Sequence, residues 1–318
     1  MESIIVKKPG FLTTVQDLGR RQYQHFGIAQ AGAMDTFSLR IANLLVGNVE
    51  HEATLEATLV GPELQFNHRG YLAVTGGGFA PKLNGKTIPL WSCVSYDKGD
   101  VLEIGTPAYG CRAYLAFAGG IAVPPVLGSK ATFLRGKYGG YQGRALKKGD
   151  AIPIGSRKYE MPRRRIHDEL IYNFQRNEAV RFIWGPQDEA FSEQQKEIFQ
   201  TLSYSVSNQS DRMGYRLEGE AIAHQEGADI ISDFIAPGSI QIPQDGKPIV
   251  LMADCQVTGG YTKIGTIISS DLPRVAQKRP GDAMQFQAIS IELAHQTYKQ
   301  MERAIQLVKI QNESLLKN

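Results

Sequence analysis

Short apolar runs broken by glycine dominate the first half of the chain. Ile4-Ile5-Val6 stops at Pro9-Gly10, and Leu12-Thr13-Thr14-Val15 ends at Asp17 and Gly19, the punctuation of strands and turns. From Ala33 the period lengthens. Asp35 can cap a helix whose one face carries Phe37, Ile41, Leu44 and Leu45 before Gly47-Asn48 stops it. Short β-type runs then return, among them Leu72-Ala73-Val74, Val94-Ser95-Tyr96 and the stretch from Ala113 to Phe117, with glycine-rich turns between them. No alternation of strand and helix develops, which argues against a parallel doubly wound sheet.

Three fragments echo one another: Lys98-Gly99-Asp100, Lys148-Gly149-Asp150 and Pro280-Gly281-Asp282 each precede apolar residues at alternate positions, as turns feeding strands do. Ser192 with Gln195 forms a capping-box pattern ahead of Ile198, Phe199 and Leu202, which predicts a second helix. Ala294, Tyr298, Met301, Ile305 and Val308 keep a four-three spacing and predict one amphipathic C-terminal helix. Residues 159–165, with Pro162 and the triplet Arg163-Arg164-Arg165, read as a solvated linker. The expected organisation is an N-terminal β unit at 1–158, a second β unit at 166–290 and a helix at 291–318.

Composition narrows the possible functions. A chain of 318 residues invites two globular units, and 33 glycines with 15 prolines suit many short strands rather than a helix bundle. A net charge of +3, from 35 basic and 32 acidic residues, is too weak a field for nucleic acid as a partner. Cys93, Cys111 and Cys255 are widely spaced and read as free thiols of a reducing compartment. The chain shows neither an apolar leader nor a membrane-length apolar run, so the expected address is cytoplasmic, with no membrane partner.

Several motifs fail. The six histidines lack metal-ligand spacing, so no metal is expected, and no serine sits in a nucleophile elbow. Gly85-Lys86-Thr87 suggests a phosphate loop, but Ala80-Pro81 breaks that pattern and Asn84-Gly85 reads as a hairpin turn. Two segments remain dense in charge and glycine. The first runs from Thr13 through Asp17 to Arg20. The second pairs Asp211-Arg212-Met213-Gly214-Tyr215-Arg216 with the stretch from Asp254 through Thr258-Gly259-Gly260-Tyr261 to Lys263. Arg212 and Arg216 offer planar forks for a carboxylate or phosphoryl group, and Gly259-Gly260 lets backbone approach a ligand. Lys263 adds a mobile point charge and Asp254 a proton acceptor. Barrel turns with salt-bridged rims account for the same residues, and both readings stay open on the sequence.

The same segments, with Gly32-Ala33-Met34-Asp35, Leu55-Glu56, Gly61-Pro62, the run from Ala131 to Gly136, Gly139-Gly140 and Gly143-Arg144, resemble the allophanate hydrolase subunit 2 family, also called the biotin-dependent carboxyltransferase family. That resemblance implies a mainly β fold of two cyclophilin-like β-barrel units with a few short helices. It implies one component of a hetero-oligomeric, ATP-dependent 5-oxoprolinase, inactive alone, which opens 5-oxo-L-proline to L-glutamate together with a KipI-like chain and a LamB/YcsF-like chain. ATP would be a co-substrate of the complex. Biotin is not expected, because the chain has no biotin-attachment lysine motif and no ATP-grasp carboxylase domain. Asp254 and Lys263 would be catalytic, while Arg212, Arg216, Thr258, Gly259, Gly260, Tyr261, Asp17 and Arg20 would bind substrate or anion. Two other roles fit the resemblance: a KipA-type regulator that binds a KipI-like sensor-kinase inhibitor, and the carboxyltransferase component of a urea-type carboxylase. Cys255, Val257, Gly77-Gly78 and Lys130 depart from the more usual family residues.

Overall fold

The computed structural model describes residues 2–156, 164–171 and 178–315. The chain is mainly β and divides into two compact units. One takes Met1–Arg20, Ala31–Phe174 and Arg303–Asn318, and the other takes Arg21–Gln30 and Gln175–Glu302.

The first unit packs two antiparallel sheets on one core. A six-stranded sheet runs in spatial order Ala151–Pro153, Ser3–Lys8, Glu63–Phe66, Val101–Glu103, Lys82–Leu83, Lys86–Thr87. Ile4, Val6, Leu64, Phe66 and Leu102 point inward from it by strand alternation. The five-stranded sheet is ordered Leu12–Gln16, Thr54–Thr58, Arg112–Phe117, Gly70–Gly76, Cys93–Tyr96. Ala113, Leu115 and Phe117 face the same core. Every residue of Arg112–Phe117 is nonetheless buried, because helix α1, Thr36–Leu45, covers the other face. That double cover explains the unbroken apolar reading of this strand.

Helix α1 starts where the sequence places it. Asp35 is its cap, taking the Ser38 N–H at 2.9 Å. Its start is pinned to the sheet by Tyr114, whose hydroxyl accepts from the Asp35 N–H at 2.7 Å and donates to Glu56 at 2.7 Å. Burial, with Glu56 and Asp35 beside it, pushes that phenol well above its ordinary pKa.

The echoed fragments are one turn made three times. Gly99, Gly149 and Gly281 all take left-handed φ, at +96°, +90° and +87°. The carboxylates of Asp100, Asp150 and Asp282 accept from the N–H three residues earlier, at 2.8, 2.7 and 2.8 Å. The glycine N–H groups donate to Phe66, Val6 and Val206, each at 2.8 Å, and the aspartate carbonyls accept from those same three residues. Asn84-Gly85 is also a turn with two positive φ values, joining Lys82–Leu83 to Lys86–Thr87.

The second unit is a barrel. Its eight-stranded sheet runs Ala283–Met284, Tyr204–Val206, Gly214–Glu218, Ile249–Leu251, Ser239–Gln241, Lys263–Ile267, Val180–Trp184, Phe286–Ala288. The two end strands are separated in sequence by Gln285 alone, so a single segment pairs with both edges and closes the wall. Phe182, Phe199, Tyr204 and Phe286 fill the interior, with the Phe199 and Phe286 rings stacked at 4.6 Å. Phe199 comes from helix α2, Glu193–Thr201, capped by the Ser192 hydroxyl. Gln195 does not complete a reciprocal capping box. Its side chain accepts instead from the Ala223 N–H at 2.9 Å. Outside the barrel sheet, Asp229–Phe234 pairs with Thr258–Tyr261 as a two-stranded ribbon.

Helix α3, Leu272–Ala276, has no counterpart in the sequence reading, whereas α4, Ile291–Leu315, is the expected C-terminal helix, with Ile305 and Val308 buried. Residues 159–163 of the expected linker lie outside the described residues. Arg164 corrects the reading of a solvated triplet. It is 4% exposed, its carbonyl accepts from the Cys93 N–H, and Arg165 bridges Ser92, so the chain here adds to the edge of the five-stranded sheet. No helix among the described residues is long and apolar enough to cross a membrane, and no group of three or more His, Cys, Asp or Glu among them is arranged to hold a metal.

Candidate functional site

The segment from Asp254 to Lys263 passes from a buried loop, along the ribbon, into the barrel wall. Lys263 opens the wall strand Lys263–Ile267 and is 3% exposed. Its ammonium reaches back to the ribbon and meets Asp233 Oδ2 at 2.7 Å. Gln187 supports the contact. Its Oε1 accepts the Lys263 N–H at 3.3 Å, and its Nε2 lies 3.5 Å from the same carboxylate. The Lys263 hydrogen bond, with the Phe234 N–H behind it, holds the Asp233 carboxyl below the usual carboxylate range.

Gly259 and Gly260 differ in need. Gly259 pairs with Asp233 across the ribbon. A Cβ at 259 would lie 2.5 Å from Ile235 Cδ1 and 2.8 Å from Gln241 Nε2, so the position is built for glycine. A Cβ at 260 would meet nothing nearer than the Ile230 carbonyl at 3.4 Å. Thr258 and Tyr261 are exposed at the two ends of the strand. Thr262, one residue on, is buried, and its hydroxyl lies 3.0 Å from His224 Nε2.

Arg212 and Asp254 face each other. Arg212 Nε and Nη2 donate to the two carboxylate oxygens at 3.0 and 2.9 Å, both residues about 5% exposed. The Asp254 N–H also donates to the Arg212 carbonyl at 2.9 Å. This fork fixes the loop that carries Gln256 to Tyr261. Cys255 is buried with Ile235 and Leu251, and burial with Asp254 alongside pushes its thiol up to about 12.

The remaining residues singled out in the sequence fall elsewhere. Arg216 projects outward from Gly214–Glu218, exposed, with no ion-pair partner among the described residues. Asp17 and Arg20 belong to the first unit, where they organise residues 129–140. The Asp17 carboxylate takes the Ser129 hydroxyl at 2.7 Å and the Lys130 N–H at 2.6 Å. Arg20, 1% exposed, bonds the Ala131 carbonyl at 2.5 Å and lies over the Tyr138 ring. The second unit therefore brings together Lys263, Gly259, Asp233, Gln187 and Gln241, three of which sequence reasoning missed. The signal for Gln241 was a polar residue between two wall isoleucines, Ile240 and Ile242, in a strand that alternation alone reads as half exposed. Beside this group a recess of about 420 Å³ is lined by Gln187, Glu189, Glu226, Asp229, Ile230 and Thr262.

Comparison with known proteins gives a consistent set. The family model described as carboxyltransferase domain, subdomain A and B, matches residues 26–288. The chain is 38% identical over 296 residues to the C subunit of 5-oxoprolinase from Escherichia coli K12, covering 93% of this chain and 94% of that one. It is 34% identical over 282 residues to the C subunit of 5-oxoprolinase from Haemophilus influenzae, covering 88% and 89%. The solved urea amidolyase of Kluyveromyces lactis superimposes with a TM-score of 0.91 at 31% identity, over 96% of this chain but only 20% of that much longer one.

Proposed function

Because the chain belongs to the family of carboxyltransferase domain subdomains A and B, we propose that it is the C subunit of an ATP-dependent 5-oxoprolinase. It would act in the cytoplasm with a KipI-like and a LamB/YcsF-like partner chain. The observation that carries the reading is identity along nearly the full length of two proteins of that name. Lys263 and the glycine ribbon above it support a site for a small carboxylic acid on this chain.

The ring amide of 5-oxoproline is resonance-stabilised, so opening it needs activation. In the proposed reaction the γ-phosphoryl group of ATP is transferred to the amide oxygen and ADP leaves. Water then adds to the activated carbon, the C–N bond breaks with the proton passing to nitrogen to leave γ-glutamyl phosphate, and a second water hydrolyses that acyl phosphate to glutamate and phosphate. Lys263 supplies positive charge to the substrate carboxylate or to oxygen that becomes anionic. The fork between Arg212 and Asp254 gives Asp254 an orienting part, holding the loop that leads to Gly259. Reconstitution with the two partner chains tests the reading. ATP-dependent glutamate release is expected, with loss of about two orders of magnitude in Lys263→Met. Unchanged turnover in Arg216→Ala removes Arg216 from the site. The likeness to urea amidolyase favours a second reading, carboxyl transfer from a biotinylated partner, which activity blocked by avidin would support.

A further inference from the structure

Two cross-strand pairs meet at this site. On the barrel wall Gln241 is the register partner of Lys263, so the two side chains leave the same face of the sheet. On the ribbon Asp233 is the register partner of Gly259. Each wall residue faces one ribbon residue: Lys263 meets Asp233, and Gln241 Nε2 lies 2.8 Å from where a Cβ on residue 259 would stand, on the side that glycine leaves open.

Only one of those two contacts is satisfied. The Lys263 ammonium has a carboxylate at 2.7 Å. The amide nitrogen of Gln241, a residue 2% exposed, has no hydrogen-bond acceptor among the described residues. Gly259 sets no side chain against it. A leucine at 241 would fill a barrel wall without leaving a buried donor unmade, so packing does not account for a glutamine there. The covering element is also weakly held. It is a two-stranded ribbon outside the barrel sheet, its register broken between Asp229 and Asp233, with Ile231 and Phe234 exposed.

We infer that Gln241 is a ligand-recognising residue of this site: its amide N–H donates to an oxygen of a small carboxylic acid that enters where the ribbon parts at Gly259, the acid's carboxylate taking the place of Asp233 on Lys263. Asp233 then serves in the unliganded protein as an internal substitute for the ligand's carboxylate. The exchange is like for like, so the lysine keeps a counter-ion throughout. Gln241 is the group that gains, because it has an acceptor only in the liganded state. The inference rests on the proposed function only for the identity of the acid, 5-oxoproline.

The test uses the assembled complex carrying wild-type, Gln241→Leu or Gln241→Glu chain, titrated with 5-oxoproline and assayed for ATP-dependent glutamate release, with the unliganded full-length chains melted alongside. Gln241→Leu is expected to bind 5-oxoproline about ten-fold more weakly, to raise KM by a similar factor with kcat little changed, and to melt at or above the wild-type temperature. Gln241→Glu, which sets a like charge against the ligand, is expected to bind more weakly still. Equal binding by wild type and Gln241→Leu overturns the inference, as does a melting temperature for Gln241→Leu lower by more than about 4 °C, which would show a structural bond. A wild-type complex that binds 5-oxoproline but releases no glutamate sinks the proposed function and leaves this inference standing. A wild-type complex that does not bind it sinks both.

Discussion

Replacing Arg212 by methionine asks what the buried fork in the second unit is for. The guanidinium donates two bonds, at 3.0 and 2.9 Å, to a carboxylate that is itself 4% exposed. Methionine keeps much of the volume and removes the charge, leaving Asp254 buried without its counter-ion. Breaking one side of such a pair costs about 3–5 kcal/mol, more than a surface pair by several-fold. With an m-value of about 2 kcal/mol per molar urea, the unfolding midpoint should fall by about 2 M. The double variant Arg212→Met with Asp254→Leu removes both charges and should recover most of the loss, since two apolar side chains in one well-packed place need no solvation. Equilibrium urea unfolding of the full chain, followed by tryptophan fluorescence from Trp184 in the second unit, reads this directly. A midpoint within about 0.3 M of wild type for the single variant would refute the claim that the pair is shielded from water. If the double variant regains stability but its complex releases no glutamate, the pair also shapes the loop that leads to the ribbon.

Other outcomes can be checked separately. Gly259→Ala should cost about 1–3 kcal/mol and lower turnover of the complex, since its Cβ presses on Ile235 and Gln241, whereas Gly260→Ala should be tolerated; equal effects in urea unfolding would contradict the geometry. Burial holds His224 below its ordinary pKa of 6.5, against the Ile242 carbonyl and Asp229, which pull the other way. Its contribution is therefore full above pH 6.5 and is lost as the pH falls through the depressed folded value; His224→Gln should flatten that part of the stability profile, and an unchanged profile would count against it. Asp282→Ala removes the side-chain bond that closes the third Gly-Asp turn and should cost about 1 kcal/mol in urea unfolding; an unchanged midpoint would show that the turn does not need that bond.

What was legible in the sequence was local. The Gly-Asp turns, the Asn84-Gly85 hairpin and the Asp35 cap each depend on residues within four positions of one another, so residue type alone specifies them. The ribbon was hidden because its apolar residues do not mark a surface strand: Ile231 is 94% and Phe234 56% exposed. The partner of Lys263 lies thirty residues away and that of Arg212 forty-two, distances over which spacing carries no information. Asp233 stands in a run of ordinary polarity, and Gln241 is marked only by its place between two isoleucines, which alternation reads as a half-exposed strand although the residue is 2% exposed. Arg164 was misread for the converse reason: a basic triplet looks solvated until a strand edge takes up its backbone.

The seam at residues 283–288 has a consequence for how the molecule avoids its own kind. One segment satisfies both rims of the wall, so these eight strands leave no row of open amides along which a second molecule can zip itself. Fibre growth and domain exchange lose their usual foothold there. The oily, water-facing ribbon tip, Ile231 and Phe234, thus stands beside a wall that gives a second copy no strand edge to extend.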